Sequence, residues 1–180
     1  MERSLTHIAL FAALIAVLGL VPKIDLAAGV PITAQSLGIM LCGTVLGAKR
    51  GALAVLLFLA LVAAGLPLLS GGRGGIGVFA GPSVGFLVGF PVAAFVAGWV
   101  MERTTLSPAV AATAASVIGG IGVMYVFGII GMSVMLDKTL SEAAFLSFAF
   151  LPGDVVKAVI AGLVTQSLSR MRPASLLSRA

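Results

Sequence analysis

Long apolar runs separated by short polar clusters organise this chain. A helix needs roughly 20 apolar residues to cross a hydrocarbon core of about 30 Å, with about 17–25 tolerated. The first such run, Leu5 to Val21, ends at Pro22 and the polar pair Lys23 and Asp25. The second, Ala34 to Ala48, is short and stops at Lys49-Arg50. Gly51 to Leu66 is the third, followed by Pro67 and the glycine-rich Ser70-Gly71-Gly72-Arg73-Gly74-Gly75. Ser83 to Met101 is the fourth, and Pro91 predicts a kink inside it. Pro108 suits the first turn of a fifth helix running to about Leu136, after which Asp137, Lys138 and Glu142 break the pattern. The sixth covers about Pro152 to Leu168 and closes on Arg170 and Arg172. The pattern predicts an all-α integral membrane protein, with residues 1–180 forming a single six-helix transmembrane domain.

Charge then sets orientation. Arg3, Lys49, Arg50, Arg103, Arg170, Arg172 and Arg179 fall on one side of such a bundle, and Lys23, Arg73 and Lys138 on the other. Positive residues favour the cytoplasm, which predicts cytoplasmic termini and a multi-pass protein of the cell membrane. The longer polar connections, Pro22–Thr33, Pro67–Pro82 and Leu136–Phe150, then face outward. Ile8 to Val21 also has the length of a signal-peptide core, but the further spans downstream favour a retained first helix.

Composition supports the bilayer and removes other classes. Hydrophobic residues make up 60% of the 180 and charged residues 9%, against about 25% charged in a typical globular domain. The net charge of +5 therefore reports topology and not nucleic-acid binding. With Cys42 and His7 the sole residues of their types, no intramolecular disulfide and no Cys- or His-rich metal cluster can form. Gly72-Arg73-Gly74-Gly75-Ile76-Gly77 fits G-x-G-x-x-G, yet no βαβ unit surrounds it and no acidic residue follows at the required distance. No Gly-Lys-Ser/Thr occurs, which removes a P-loop, and no nucleophile has a positioned base, so no enzyme or resident cofactor is expected.

The chemistry lies in the outer halves of the spans. Asp154 and Lys157 sit at i and i+3 inside an apolar run, so they project from the same side of one helix. Charges within a membrane segment are costly and mark either a structural ion pair or a functional site. Gln35 stands at the outer start of the short second span, as a ligand-facing amide or as a helix cap. Short and Gly/Pro-interrupted spans point to transporter sites. Arg73, with Gly74 beside it, sits on a backbone able to fold closely over a ligand, or in a merely solvated loop. Phe79, Phe86 and Phe90 are candidates for an apolar lining. A carboxylate, an amide and two cations among aromatic side chains suit a small amphipathic anion: Lys157 and Arg73 for its carboxylate, Asp154 and Gln35 for N–H and C=O groups. Trp99 reads as an interfacial anchor. Small residues four apart, such as Ala9 and Ala13, Ala12 and Ala16, Gly85 and Gly89, permit close helix packing.

Several of these motifs occur in an order that resembles a known family. Val30-Pro31-Ile32-Thr33-Ala34-Gln35-Ser36-Leu37-Gly38 and Leu46-Gly47-Ala48-Lys49-Arg50-Gly51-Ala52 resemble the first half of the BioY family, the biotin-binding S components of energy-coupling factor transporters. Gly65-Leu66-Pro67, Gly71-Gly72-Arg73-Gly74-Gly75, Gly81-Pro82-Ser83-Val84-Gly85-Phe86 and Leu151-Pro152-Gly153-Asp154-Val155-Val156-Lys157-Ala158 continue the resemblance. It implies a six-helix protein that captures biotin from outside at Gln35, Arg73, Gly74, Phe86, Asp154 and Lys157. It also implies partners, namely a transmembrane coupling protein and two cytoplasmic ABC-type ATPases, docked through Ala9 and Ala13. Arg73 and Phe86 depart from the commoner residues of the family, a smaller polar residue and a tyrosine. The competing expectations are a self-sufficient biotin carrier in which Asp154 couples protons, and a non-transport membrane scaffold or enzyme without a tight ligand. A homo-oligomer stays open.

Overall fold

The computed structural model describes residues 2–25 and 29–179, the side chains of residues 2 and 3 excepted, so the expected topological role of Arg3 lies outside the described residues. Among those residues every regular element is helical: α1 (Glu2–Leu18), α2 (Gln35–Leu46), α3 (Ala48–Ala63), α4 (Val84–Arg103), α5 (Pro108–Ala115), α6 (Met124–Leu136), α7 (Leu140–Ser147) and α8 (Leu151–Met171). A π-helical stretch, Ser116–Val123, joins α5 to α6, and Pro108–Leu136 is one continuous span of 29 residues. Among the described residues three helical spans are long and apolar enough to cross a bilayer: Val84–Arg103, Pro108–Leu136 and Leu140–Met171. Ser4–Leu18 and Gln35–Leu46 are shorter apolar helices.

α2 is buried on nearly all sides, from Gln35 to Leu46. Gln35, Ser36 and Thr44 on this helix find hydrogen-bond partners inside the bundle, which lipid could not supply. α4 lies against α2, α3 and α6, α5 packs on α8, and α1 covers α2 and α3. The turn between α2 and α3 is the single residue Gly47, at φ 84°, where a Cβ would strike the Glu102 carboxylate. Glycine is required there for both reasons. The small-residue faces are used mainly for packing: a Cβ on Gly131 of α6 would stand 2.5 Å from the Gly85 Cα of α4.

Two segments differ from the sequence expectation. The stretch 136–150, expected as an outer polar loop, contains α7, whose first turn is held by a reciprocal cap between Thr139 and Glu142. The second is the chain end: Pro173–Arg179 folds back under the bundle and buries Leu176 and Ser178. There the Ser178 hydroxyl donates to the Thr44 carbonyl at 2.5 Å and Arg179 donates to the Leu106 carbonyl at 3.0 Å. Pro91 is accommodated inside α4.

Candidate functional site

At the end of the bundle away from the Gly47 turn, the starts of α2, α4 and α8 converge on a partly open cavity. α8 begins with Pro152 in its first turn, a position where the missing N–H has no helical partner to lose. Asp154 follows one turn in, where a carboxylate complements the positive end of the helix dipole. It is 5% exposed and accepts three hydrogen bonds. Lys157 Nζ at 2.9 Å and Ser36 Oγ at 3.0 Å both donate to Oδ1, and Tyr125 Oη donates to Oδ2 at 2.9 Å. Lys157 also donates to Ser36 Oγ at 2.9 Å, so α2, α6 and α8 are tied through one carboxylate. Lys157 and Asp154 form an ion pair, and Lys23 and Asp25 form another in the loop after α1.

Gln35 lines the cavity but has committed its amide. Its Nε2 donates to the carbonyls of Ile15 and Leu68, each at 3.1 Å, and its Oε1 accepts from Ser70 N–H at 3.0 Å. This side chain fastens the end of α1 and the loop after α3 to the start of α2. In that loop Leu69 and Arg73 exchange backbone hydrogen bonds, which turns the Arg73 side chain over the cavity. Arg73 Nε donates to the Ser70 carbonyl at 3.3 Å, and the guanidinium has no ion-pair partner among the described residues. Gly74 does not line the cavity; a Cβ on it would strike the Leu66 carbonyl, so it shapes the loop that carries Arg73.

The remaining wall is apolar. Phe86 meets Tyr125 and Phe150 edge to face, with centroids 6.3 and 5.7 Å apart, and its ring fits where Gly128 has no Cβ. Leu87, Phe90 and Met124 complete that side, while Phe79 lies outside. The cavity measures about 70 Å³, room for about five to seven waters at ~10–15 Å³ each. Among the described residues no three His, Cys, Asp or Glu side chains gather as a metal site would need.

The structure thus brings Gln35, Arg73, Phe86, Asp154 and Lys157 to one place, with Gly74 behind them. Ala9 and Ala13 lie elsewhere, exposed together on the outer face of α1, whereas Ala12 turns inward. Ser36, Tyr125 and Phe150 belong to the site without having been singled out in the sequence. Tyr125 carried a usable signal: it is the sole tyrosine, in the middle of an apolar helix, and a buried phenol seeks a partner.

The fold and the cavity define a class, a helical membrane protein built to hold a small polar ligand between its spans. The BioY family's profile matches residues 2–174, and the chain belongs to that family. It is 51% identical over 189 residues to the "Biotin transporter BioY" of Rhodobacter capsulatus, covering 99% of this chain and 100% of that one. It is 44% identical to the "Probable biotin transporter BioY" of Bacillus subtilis, covering 91% and 90%. A crystal structure of the S-component for biotin from an ECF-type ABC transporter superposes with a TM-score of 0.90 at 30% identity, covering 97% of this chain and 96% of that one. These relatives are transporters, not enzymes.

Proposed function

We propose that this chain is the biotin-capturing membrane subunit of an energy-coupling factor transporter. The observation that carries the reading is a polarity split across one cavity: an ion-paired cluster of Asp154, Lys157 and Ser36 along one wall and, on another, the Arg73 guanidinium, which has no ion-pair partner among the described residues. Biotin has matching ends, a carboxylate on a flexible apolar tail and a cyclic urea. Arg73 presents fixed N–H donors to the carboxylate. The urea N–H groups donate to Asp154, and its carbonyl accepts from Lys157 or Ser36. Phe86, Phe90 and Met124 enclose the apolar body. Gln35 acts through the wall, because its amide would have to leave three backbone partners to reach a ligand.

A space of about 70 Å³ is small beside the ~300–1,000 Å³ of typical ligand sites. Binding therefore requires the loop that carries Arg73 to move outward and return.

The same reading sets the topology. α1, α2, α3, α4, the α5–α6 span and the α7–α8 span make six crossings in the plasma membrane, with both termini and the basic end in the cytoplasm. At 12 residues α2 is only about 18 Å long. Burial inside protein makes that length tolerable, because its ends do not face lipid. Ala9 and Ala13, exposed and small, offer the coupling protein a close approach, and two cytoplasmic ATPases act through that partner. A proton-coupled carrier using Asp154 is disfavoured, because all three neighbours donate to this carboxylate and lock it into the bundle.

The test is uptake of labelled biotin by cells that lack their own importer. Accumulation is expected when the chain is expressed with a coupling protein and its ATPases, and not with the chain alone. Equal accumulation in both would contradict the coupled mechanism.

A further inference from the structure

At the end opposite the ligand cavity, the start of α3 and the last two turns of α4 enclose an open groove of about 640 Å³. Lys49, Arg50 and Arg103 line it together with the apolar Leu46, Phe95 and Trp99. None of the three cations has an ion-pair partner among the described residues. The one carboxylate in the groove, Glu102, is already engaged as an acceptor for Ala48 N–H at 2.8 Å. Arg103 lies over the Trp99 indole with its Cζ 4.4 Å from the ring centroid. That stacking holds the guanidinium by its face and leaves its N–H edge free.

Beyond these cations the character changes. Phe95 and Trp99 are 41% and 45% exposed, on the outside of a helix long and apolar enough to cross the bilayer. From Arg103 to Phe95 is about 12 Å along the axis at 1.5 Å per residue. On α3, Leu53 and Leu57 follow Arg50 at i+3 and i+7 and are also exposed. Cations above, an indole at the boundary and an apolar channel below reproduce the order of charge, interface and acyl chain in a phospholipid.

The geometry points to a binding site for an anionic phospholipid, whose phosphate sits between Arg50 and Arg103 and whose chain runs past Trp99 and Phe95. It lies apart from the biotin cavity and does not depend on what that cavity binds.

Purified protein in a neutral detergent, stripped of co-purified lipid, is titrated with phosphatidylglycerol, phosphatidylcholine or glycerol phosphate and examined by native mass spectrometry. Phosphatidylglycerol is expected to stay as a discrete single adduct, and the other two to be lost. R50Q/R103Q is expected to hold phosphatidylglycerol about 10- to 30-fold more weakly, from two lost headgroup contacts, while keeping the wild-type unfolding temperature in detergent. Should that variant fail to fold, K49Q/R50Q supplies the same comparison. R170Q/R172Q, elsewhere on the basic end, is expected to leave retention unchanged. Equal retention of both lipids, or of glycerol phosphate as well, would overturn the site. Undiminished retention in R50Q/R103Q would do the same and leave the groove to a protein partner. An equal loss in R170Q/R172Q would reduce it to diffuse charge.

Discussion

Tyr125 donates its phenolic hydrogen to Asp154 Oδ2 at 2.9 Å, across 29 residues of chain and between two helices. The bond leaves Oδ1 to Lys157 and Ser36, so the carboxylate is held at both oxygens. Phe86 stands edge to face against the Tyr125 ring, with centroids 6.3 Å apart.

Tyr125→Phe should keep the ring packing and lose only this bond. A hydrogen bond to a charged group contributes about 1.5–3 kcal/mol, and the half-buried phenol places the loss near the lower figure. The expected outcome is a lower unfolding temperature without ligand and weaker biotin binding, both read on the same sample. Unchanged behaviour would show that Ser36 and Lys157 suffice.

Asp154 and Lys157 make a sharper case. Removing one partner of a desolvated pair strands the other, at about 3–5 kcal/mol when fully buried. Asp154→Asn is therefore expected to lower ligand-free thermal stability strongly. The doubly neutral variant D154N/K157M should recover much of that stability yet still bind biotin poorly. Near-normal affinity in a folded double variant would make the pair purely structural.

The outer face of α1 gives an independent test. Ala9→Trp adds bulk to an exposed position remote from the cavity, so biotin binding in detergent should stay intact. Coupled uptake should fall to background if two backbones meet at this face. Unimpaired uptake would remove Ala9 and Ala13 from the docking surface.

The sequence made the charged pair legible because i, i+3 spacing on one helix needs no tertiary knowledge. Its partners were hidden for the opposite reason: Ser36 is 118 residues from Asp154 and sits in an apolar segment where a lone serine is unremarked. Gln35 was visible as a polar residue, but no local pattern could assign its amide to the carbonyls of Ile15 and Leu68. The helix α7 was readable in principle. Thr139-Leu140-Ser141-Glu142 has the spacing of a capping box, yet its charges look like a loop when only apolar runs are counted. The π-helical stretch and the folded-back end depend on packing against α2 and α4, which periodicity does not encode.

Arg73 bears the central claim, because it is the cavity cation without an ion-pair partner among the described residues and the proposed partner of the biotin carboxylate. The most direct measurement is calorimetric titration of purified wild-type protein and Arg73→Met with biotin and with biotin methyl ester, which lacks the charge. Wild type should bind biotin saturably at one site per chain and bind the ester far more weakly. Arg73→Met should lose about 10- to 150-fold for biotin, the equivalent of one charge-assisted hydrogen bond, and little for the ester. A folded wild-type sample with no saturable biotin binding would contradict the account.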